Sequence, residues 1–198
     1  MKKLYLLISV ATFTTITNSQ AQFGVKAGLN ISSTNVSPKE AGDSYHSTAN
    51  FHVGVFETAL IHKNFYLQLE ALYSGEGGKY DSPNYPDEKL ILGYINIPVL
   101  LKYKTASGLF AEIGPQLGFL ILAKDKTNGS SLNVKDGFRP LDFAGCLGIG
   151  YSPTMNFGFD LRYNLGISNN TTGDGGKIKN NVFQAGVFYF LSTEKNRR

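Results

Sequence analysis

The sequence predicts an all-β chain that closes into an eight-stranded antiparallel, up-and-down transmembrane β-barrel. Three observations carry that prediction. Apolar residues alternate with small or polar ones in eight separate runs along the chain. The connectors between those runs are short and long by turns. The composition is aromatic and glycine-rich, with 14 Phe, 11 Tyr and 22 Gly against 17% charged residues, which suits strands better than a helical bundle.

The first 21 residues stand apart from this pattern. Lys2 and Lys3 precede an apolar stretch over residues 4–16, and Ser19 and Ala21 form a small-x-small site. That is the layout of a cleaved secretory signal peptide, so the mature barrel domain is expected to span residues 22–191, followed by a basic tail over 192–198. The first strand, over 23–32, sets Phe23, Val25, Ala27, Leu29 and Ile31 against Gly24, Lys26, Gly28, Asn30 and Ser32. The second, over 50–61, is the weakest, because Glu57 falls on the side of Phe51, Val53 and Val55; a β-bulge there would restore the phase. Residues 65–74 place Leu67, Leu69, Ala71 and Tyr73 opposite Gln68, Glu70 and Ser74. Residues 90–104 place Ile95, Ile97, Val99, Leu101 and Tyr103 opposite Asn96, Pro98 and Lys102. Runs over 109–122, 143–151, 157–168 and 182–191 complete the set. In the clearest of them Phe159, Leu161, Tyr163, Leu165 and Ile167 oppose Gly158, Asp160, Arg162, Asn164 and Gly166.

The short connectors fall at 62–64, 105–107 and 152–156. The long polar ones fall at 34–49, 75–88, 123–141 and 169–179. Tight turns at one end and long loops at the other are the organisation of a barrel in the bacterial outer membrane, with both termini in the periplasm. Ten residues at about 3.3 Å each, tilted by roughly 40°, span about 25 Å, the height of the apolar band such barrels present to lipid. Tyr73, Tyr103, Tyr151, Tyr163 and Tyr189 on the apolar face supply an interfacial girdle. In a soluble sandwich or lipocalin-like barrel the non-apolar face would meet water. Here it is largely glycine, with few charges for such a surface.

Charge and cysteine content exclude several functions. Residues 22–191 carry 14 Lys and Arg against 14 Asp and Glu, so the basic balance of the whole chain resides in its ends and gives no basic face for nucleic acid. The single cysteine, Cys146, excludes an intrachain disulfide and a cysteine-based zinc site. Gly145, Gly148 and Gly150 precede no helix that could cradle phosphate, and the aspartates lack the spacing of a Ca²⁺ loop. No cofactor, metal or catalytic group is expected. His46 lies near Ser44 and Ser47, and His52 faces the lumen, but no nucleophile–base spacing is definable.

The remaining chemistry faces inward. Lys26, Glu70, Lys102, Glu112, Asp160 and Arg162 all lie on the lumen side, three acids and three bases. An eight-stranded barrel is just wide enough for side chains to fill, and charges in so dry a space must pair. The small inner face of Ala144, Cys146, Gly148 and Gly150 leaves room for Glu112 and Arg162 to meet; Arg162 is expected to pair with Glu112 or Asp160.

Three segments carry a family resemblance: Tyr94-Ile95-Asn96-Ile97-Pro98-Val99-Leu100-Leu101-Lys102-Tyr103, Gly114-Pro115-Gln116-Leu117-Gly118 and Leu161-Arg162-Tyr163-Asn164-Leu165-Gly166. In these the chain resembles the PorT-like, porin-like outer membrane β-barrel domains of Bacteroidetes, with Asn96 where that family usually has Glu. The resemblance covers the mature chain and implies the barrel fold and an outer-membrane location; the family is functionally diverse. The last strand adds a second likeness. Gln184, Gly186, Tyr189 and Leu191 are similar to the carboxy-terminal signal read by the barrel assembly machinery, with Leu in place of the usual final Phe.

The function expected from these readings is a non-enzymatic, monomeric outer-membrane barrel with a structural or surface-interaction role. Its partners would be outer-membrane lipid, the assembly machinery during biogenesis, and an extracellular or periplasmic protein. A small-solute channel is the alternative; a lipid-modifying enzyme is the third reading. Amino-terminal sequencing of the protein extracted from outer membranes should begin at Gln22; recovery of chains retaining Lys2 and Lys3 in the cytosol would exclude export.

Overall fold

The structure is a computed structural model that describes residues 21–37, 44–82, 85–127, 130–153, 156–171 and 177–191. The proposed signal peptide, apart from Ala21, and the basic tail lie outside the described residues. Nine strands follow in order: β1 (Ala21–Ser37), β2 (Ser44–His62), β3 (Phe65–Ser82), β4 (Tyr85–Lys104), β5 (Leu109–Thr127), β6 (Ser130–Asn133), β7 (Leu141–Tyr151), β8 (Phe157–Gly166) and β9 (Lys177–Phe190). All pairings are antiparallel. The order β4-β3-β2-β1-β9-β8-β7-β5 closes through a β4–β5 pairing, so eight strands form a ring. The short β6 pairs only with the loop-end part of β5, above β7.

Inside and outside are inverted relative to a soluble protein, because the solvent for the outer wall is lipid. Leu29, Val55, Ile113, Leu147, Ile149 and Leu161 stand outward and exposed. Lys26, Glu70, Glu112 and Arg162 are buried. Tyr103, Tyr151 and Tyr189 ring the outer wall at the short-turn end. Tyr163 instead lies mid-wall, between Leu147 and Phe183.

Two expectations from the sequence need correction. The polar connectors at 34–49 and 75–88 are largely strand: β1 runs to Ser37, β2 starts at Ser44, and β3 and β4 approach to Ser82 and Tyr85. Continuing the ladder satisfies the backbone donors and acceptors beyond the membrane, where neither face needs apolar residues and the alternation therefore fades. The second correction concerns Glu57. The β1–β2 register is unbroken from Thr48 to Ala59, so no bulge occurs there and Glu57 faces outward, opposite Phe23 and Leu69. A one-residue insertion would have turned Phe51, Val53 and Val55 inward, a larger cost than one carboxylate toward the turn end of the wall. The irregularities in β2 lie elsewhere, between Ser47 and His52 and between Leu60 and His62.

Both ends of the lumen are packed. At the turn end Phe56, Phe110, Phe188 and Phe190 form a buried floor, with ring centroids 5.1–5.9 Å apart in edge-on and tilted contacts. At the loop end Leu92, Tyr94, Leu120 and Ala123 pack with Leu90, Val134 and Phe138. A 3₁₀ turn over Lys135–Gly137 carries the chain from β6 toward β7, between β5 and the residues that follow β8. There Phe138 bridges Thr171, the Arg139 N–H donates to Asn170 O at 2.8 Å, and Arg139 Nε donates to Thr171 O at 3.0 Å.

Leu161 tests the assignment of faces, since it points to lipid beside the inward Arg162. Leu161→Arg should destabilise the barrel by about 2–4 kcal/mol in a urea titration in bilayers or detergent. A neutral result would mean that this face does not meet hydrocarbon.

Candidate functional site: a charge-balanced lumen

The six inward charges come from five strands: Lys26 on β1, Glu70 on β3, Lys102 on β4, Glu112 on β5, and Asp160 and Arg162 on β8. Arg162 is at their centre and is 1% exposed. Its Nη1 and Nη2 donate to Glu70 Oε2 and Oε1 at 2.8 and 2.7 Å, an end-on fork. Its Nε and Nη2 donate to Glu112 Oε1 at 2.9 and 2.6 Å. Glu112, Gly148 and Arg162 share one cross-strand row, and the bare Gly148 lets the two side chains meet over β7. A Cβ there would lie 3.0 Å from Glu112 Cγ.

The two lysines complete the balance. Lys26 Nζ bonds Asp160 Oδ2 and lies 3.8 Å from Glu70 Oε1. Lys102 Nζ is 3.3 Å from Glu112 Oε2, donates to Gln68 Oε1 at 2.6 Å and sits 4.1 Å from the centre of the Phe110 ring. Gln68 in turn donates to Glu70. Asp160 is therefore the partner of Lys26; its Oδ2 is 3.9 Å from Arg162 Nη2, at the limit of an ion pair. The pairing of Arg162 with Glu112 matches the expectation. The stronger bond, to Glu70, was not anticipated: the alternation placed Glu70 in the lumen, but only the closed ring brings β3 opposite β8.

Above this layer lies a chain of neutral groups. His52 Nδ1 is 2.7 Å from Asn30 Oδ1, which also accepts from Gln184 Nε2 at 3.0 Å. Asn30 Nδ2 donates to Ser74 Oγ and to Gly75 O, both at 2.9 Å. The partner of His52 is thus an amide and not a nucleophile. His46 lies on β2 opposite Lys79, at the loop end of the wall, and His62 ends β2 and is exposed. Cys146 is buried, with Sγ 3.6 Å from Gln116 Oε1. Of the four residues resembling an assembly signal, Gln184 and Gly186 face the lumen, while Tyr189 and Leu191 face outward.

Two open spaces stand out among the described residues. A depression of about 970 Å³ lies on the lipid-facing wall, around the small residues Ala27, Ala111 and Ala185. A cavity of about 120 Å³ at the turn end is lined by Gln68, Lys102, Lys104, Phe110 and Phe188, among others.

A closed antiparallel ring with an apolar exterior, a paired ionic interior and both described chain ends at the short-turn end defines a small outer-membrane β-barrel protein. The chain belongs to the outer membrane protein beta-barrel domain family, which matches residues 14–172. Among solved structures it is similar to Neisserial surface protein A, with 19% identity and a TM-score of 0.55 over 85% of this chain and 97% of that one. The attachment invasion locus protein Ail of Yersinia pestis gives 13% and 0.51, over 87% and 99%. OprG of Pseudomonas aeruginosa gives 15% and 0.51, over 88% and 97%. These likenesses carry the fold alone. No curated protein matches the sequence.

Removing Arg162 alone leaves Glu70 without its main partner and Glu112 with Lys102 alone, so Arg162→Met should cost about 3–5 kcal/mol. Adding Glu70→Gln leaves Lys26 with Asp160 and Lys102 with Glu112, a neutral set, and should recover much of that loss. In double-mutant cycles by urea titration the coupling of Arg162 to Glu70 should exceed its coupling to Asp160. Equal coupling to both would contradict the fork geometry.

Proposed function

We propose that the protein is a non-enzymatic outer-membrane barrel whose ring is a rigid, sealed support for the hairpins at its loop end, where a protein partner outside the cell is bound. The observation that carries this reading is the packed lumen: a floor of four phenylalanines, then six mutually paired charges, with the cluster of Leu92, Tyr94, Leu120 and Ala123 toward the other end. A structure that spends its interior on closure has its accessible chemistry at the rim. The β1–β2 and β3–β4 hairpins extend that rim beyond the apolar band. The three motif segments quoted above support placing the chain in the PorT-like branch. The strand β9, with Gln184, Gly186, Tyr189 and Leu191 beside the ring-closing β1, is suited to recognition by the barrel assembly machinery.

A second reading, passage of a small solute, draws on the polar column running from the turn-end cavity through Gln68, Arg162 and Asn30 to Ser74. Planar-bilayer recording separates the two. The sealed support predicts no conductance above the lipid background for the native chain. Stepwise conductance that rises when Arg162 and Glu70 are neutralised together would replace the support reading with the channel.

A further inference from the structure

The loop-end third of the lumen differs from the middle in one respect: its charges do not balance. Glu76 on β3 and Asp142 on β7 face inward and are 3% and 6% exposed. Glu76 Oε1 accepts from Ser74 Oγ at 3.1 Å and from Asn96 Nδ2 at 3.0 Å. Asp142 Oδ1 accepts from Ser168 Oγ. Among the described residues no Lys, Arg or His lies within ion-pair distance of either carboxylate; every cation of the lumen is committed to the layer below. Two buried carboxylates met only by neutral donors are a costly arrangement unless a positive charge joins them.

The surrounding wall leaves a place for that charge. Asn96, Gly118 and Asp142 are adjacent in register across β4, β5 and β7, so a residue without a side chain separates the amide from the acid. A Cβ on Gly118 would fall 2.8 Å from Asn96 Oδ1 and 3.4 Å from both Asp142 Cβ and Tyr94 Cδ1. The three side chains therefore gather over this glycine and occupy the space that a side chain at 118 would need. Tyr94 is fully buried, and its hydroxyl, which lies within the field of both Glu76 and Asp142, completes no hydrogen bond. The Asn180 carboxamide of β9 approaches that hydroxyl and is likewise without a partner at either of its atoms. Unsatisfied buried oxygens of this kind are rare in a finished interior.

We propose that the side chains gathered over Gly118 form a binding site for a hard divalent cation of the Ca²⁺ class, held by the carboxylates of Glu76 and Asp142 with neutral oxygens from Asn96, Tyr94 and Asn180. The donor set is all oxygen, without His or Cys, and that selects hard cations over zinc or copper. The donors come from four strands, so no linear spacing of the Ca²⁺-loop type marks the site in the sequence. With two carboxylates the affinity belongs in the class of extracellular modules, about 10⁻⁴–10⁻³ M. A bound ion would tie β3 and β4 to β7 and β9 near the loop end.

The site is tested with the full-length protein refolded in detergent. The chain has no Trp, so Tb³⁺ emission excited at tyrosine wavelengths reports an ion next to a tyrosine. Emission should saturate with Tb³⁺ and be displaced by Ca²⁺. Glu76→Gln and Asp142→Asn should each weaken binding at least tenfold, Tyr94→Phe should remove most of the sensitised emission, and the outward Glu57→Gln should change nothing. CaCl₂ should raise the melting temperature of the native barrel and not that of the two carboxylate variants, with gel mobility of unheated samples confirming that each variant folds. Absence of saturable emission, or binding of native strength in both Glu76→Gln and Asp142→Asn, overturns the proposal. So does a melting temperature indifferent to CaCl₂ and chelator but raised by either variant in metal-free buffer, which would mean that the two acids share a proton.

Discussion

A ring of eight strands encloses a space that side chains alone can fill, and the outer wall of this one must be apolar because it meets lipid. The interior is consequently the place left for polar groups, and they must satisfy one another there. The pair formed by Arg162 and Glu70 is the central expression of that constraint. β3 and β8 stand four strands apart in either direction around the ring, so their side chains meet across its full width. Glu112 joins the same guanidinium from β5, Lys26 brings β1 to β8, and Lys102 brings β4 to β5. The bonds of Arg162 to Glu70 and Glu112 and of Lys26 to Asp160 join strands that are not neighbours, and so fix the cross-section in a way that ladder hydrogen bonds do not.

Ion pairs are a costly means of filling a core, and apolar side chains of the same volume would often serve stability as well. The advantage of charge here concerns register. A barrel strand has two faces with opposite requirements, and a slip of one residue exchanges them. In a barrel apolar on both faces such a slip would go unopposed. With Lys26, Glu70, Lys102, Glu112, Asp160 and Arg162 inside, it would present cations to hydrocarbon, at about 2–4 kcal/mol for each Lys or Arg near the midplane. Glycine serves the same geometry. Gly186 faces the lumen where Asp160, His52 and Lys26 converge, and a Cβ there would lie 2.5 Å from Asp160 Oδ1.

The fold was legible because the alternation is a local signal: residues i and i+2 share a face whatever the rest of the chain does. Membership of the lumen was legible for the same reason, and Glu70 and Arg162 were both placed inside. Their partnership was not, since it depends on ring closure and on the stagger between opposite walls, neither of which leaves a mark in any one strand. The ends of the strands were missed for a different reason. Beyond the membrane both faces of a hairpin are polar, so residues such as Lys79 and Lys89 pair in register with no periodicity to announce it. Glu57 misled in the opposite direction: one polar residue in an apolar row suggested a bulge, while the ladder absorbed it at the wall without a break. The grouping of Asn96, Asp142 and Tyr94 over Gly118 left no signal either, because it depends on the register between three strands and not on spacing within one.

The lumen is layered by the kind of interaction that satisfies it, and the order of the layers has a consequence for anything that would cross. The aromatic floor at the turn end is flanked by Thr58, Gln68, Lys102 and Lys104, and the Lys102 ammonium lies over Phe110 and Phe188. Next comes the ionic layer, neutral in sum, then the amides and hydroxyls of Asn30, Gln184 and Ser74, and last the acidic pair near the loop end. A cation arriving from outside meets favourable charge first and then a layer in which every anion already has a partner. To continue, it would have to displace Arg162 from two carboxylates at once. An anion is opposed at the outset by Glu76 and Asp142. On the sealed-support reading, the layers that oppose transit also leave two buried carboxylates toward the outer end. The ionic layer secures the ring, and the acidic layer faces the side on which the hairpins project.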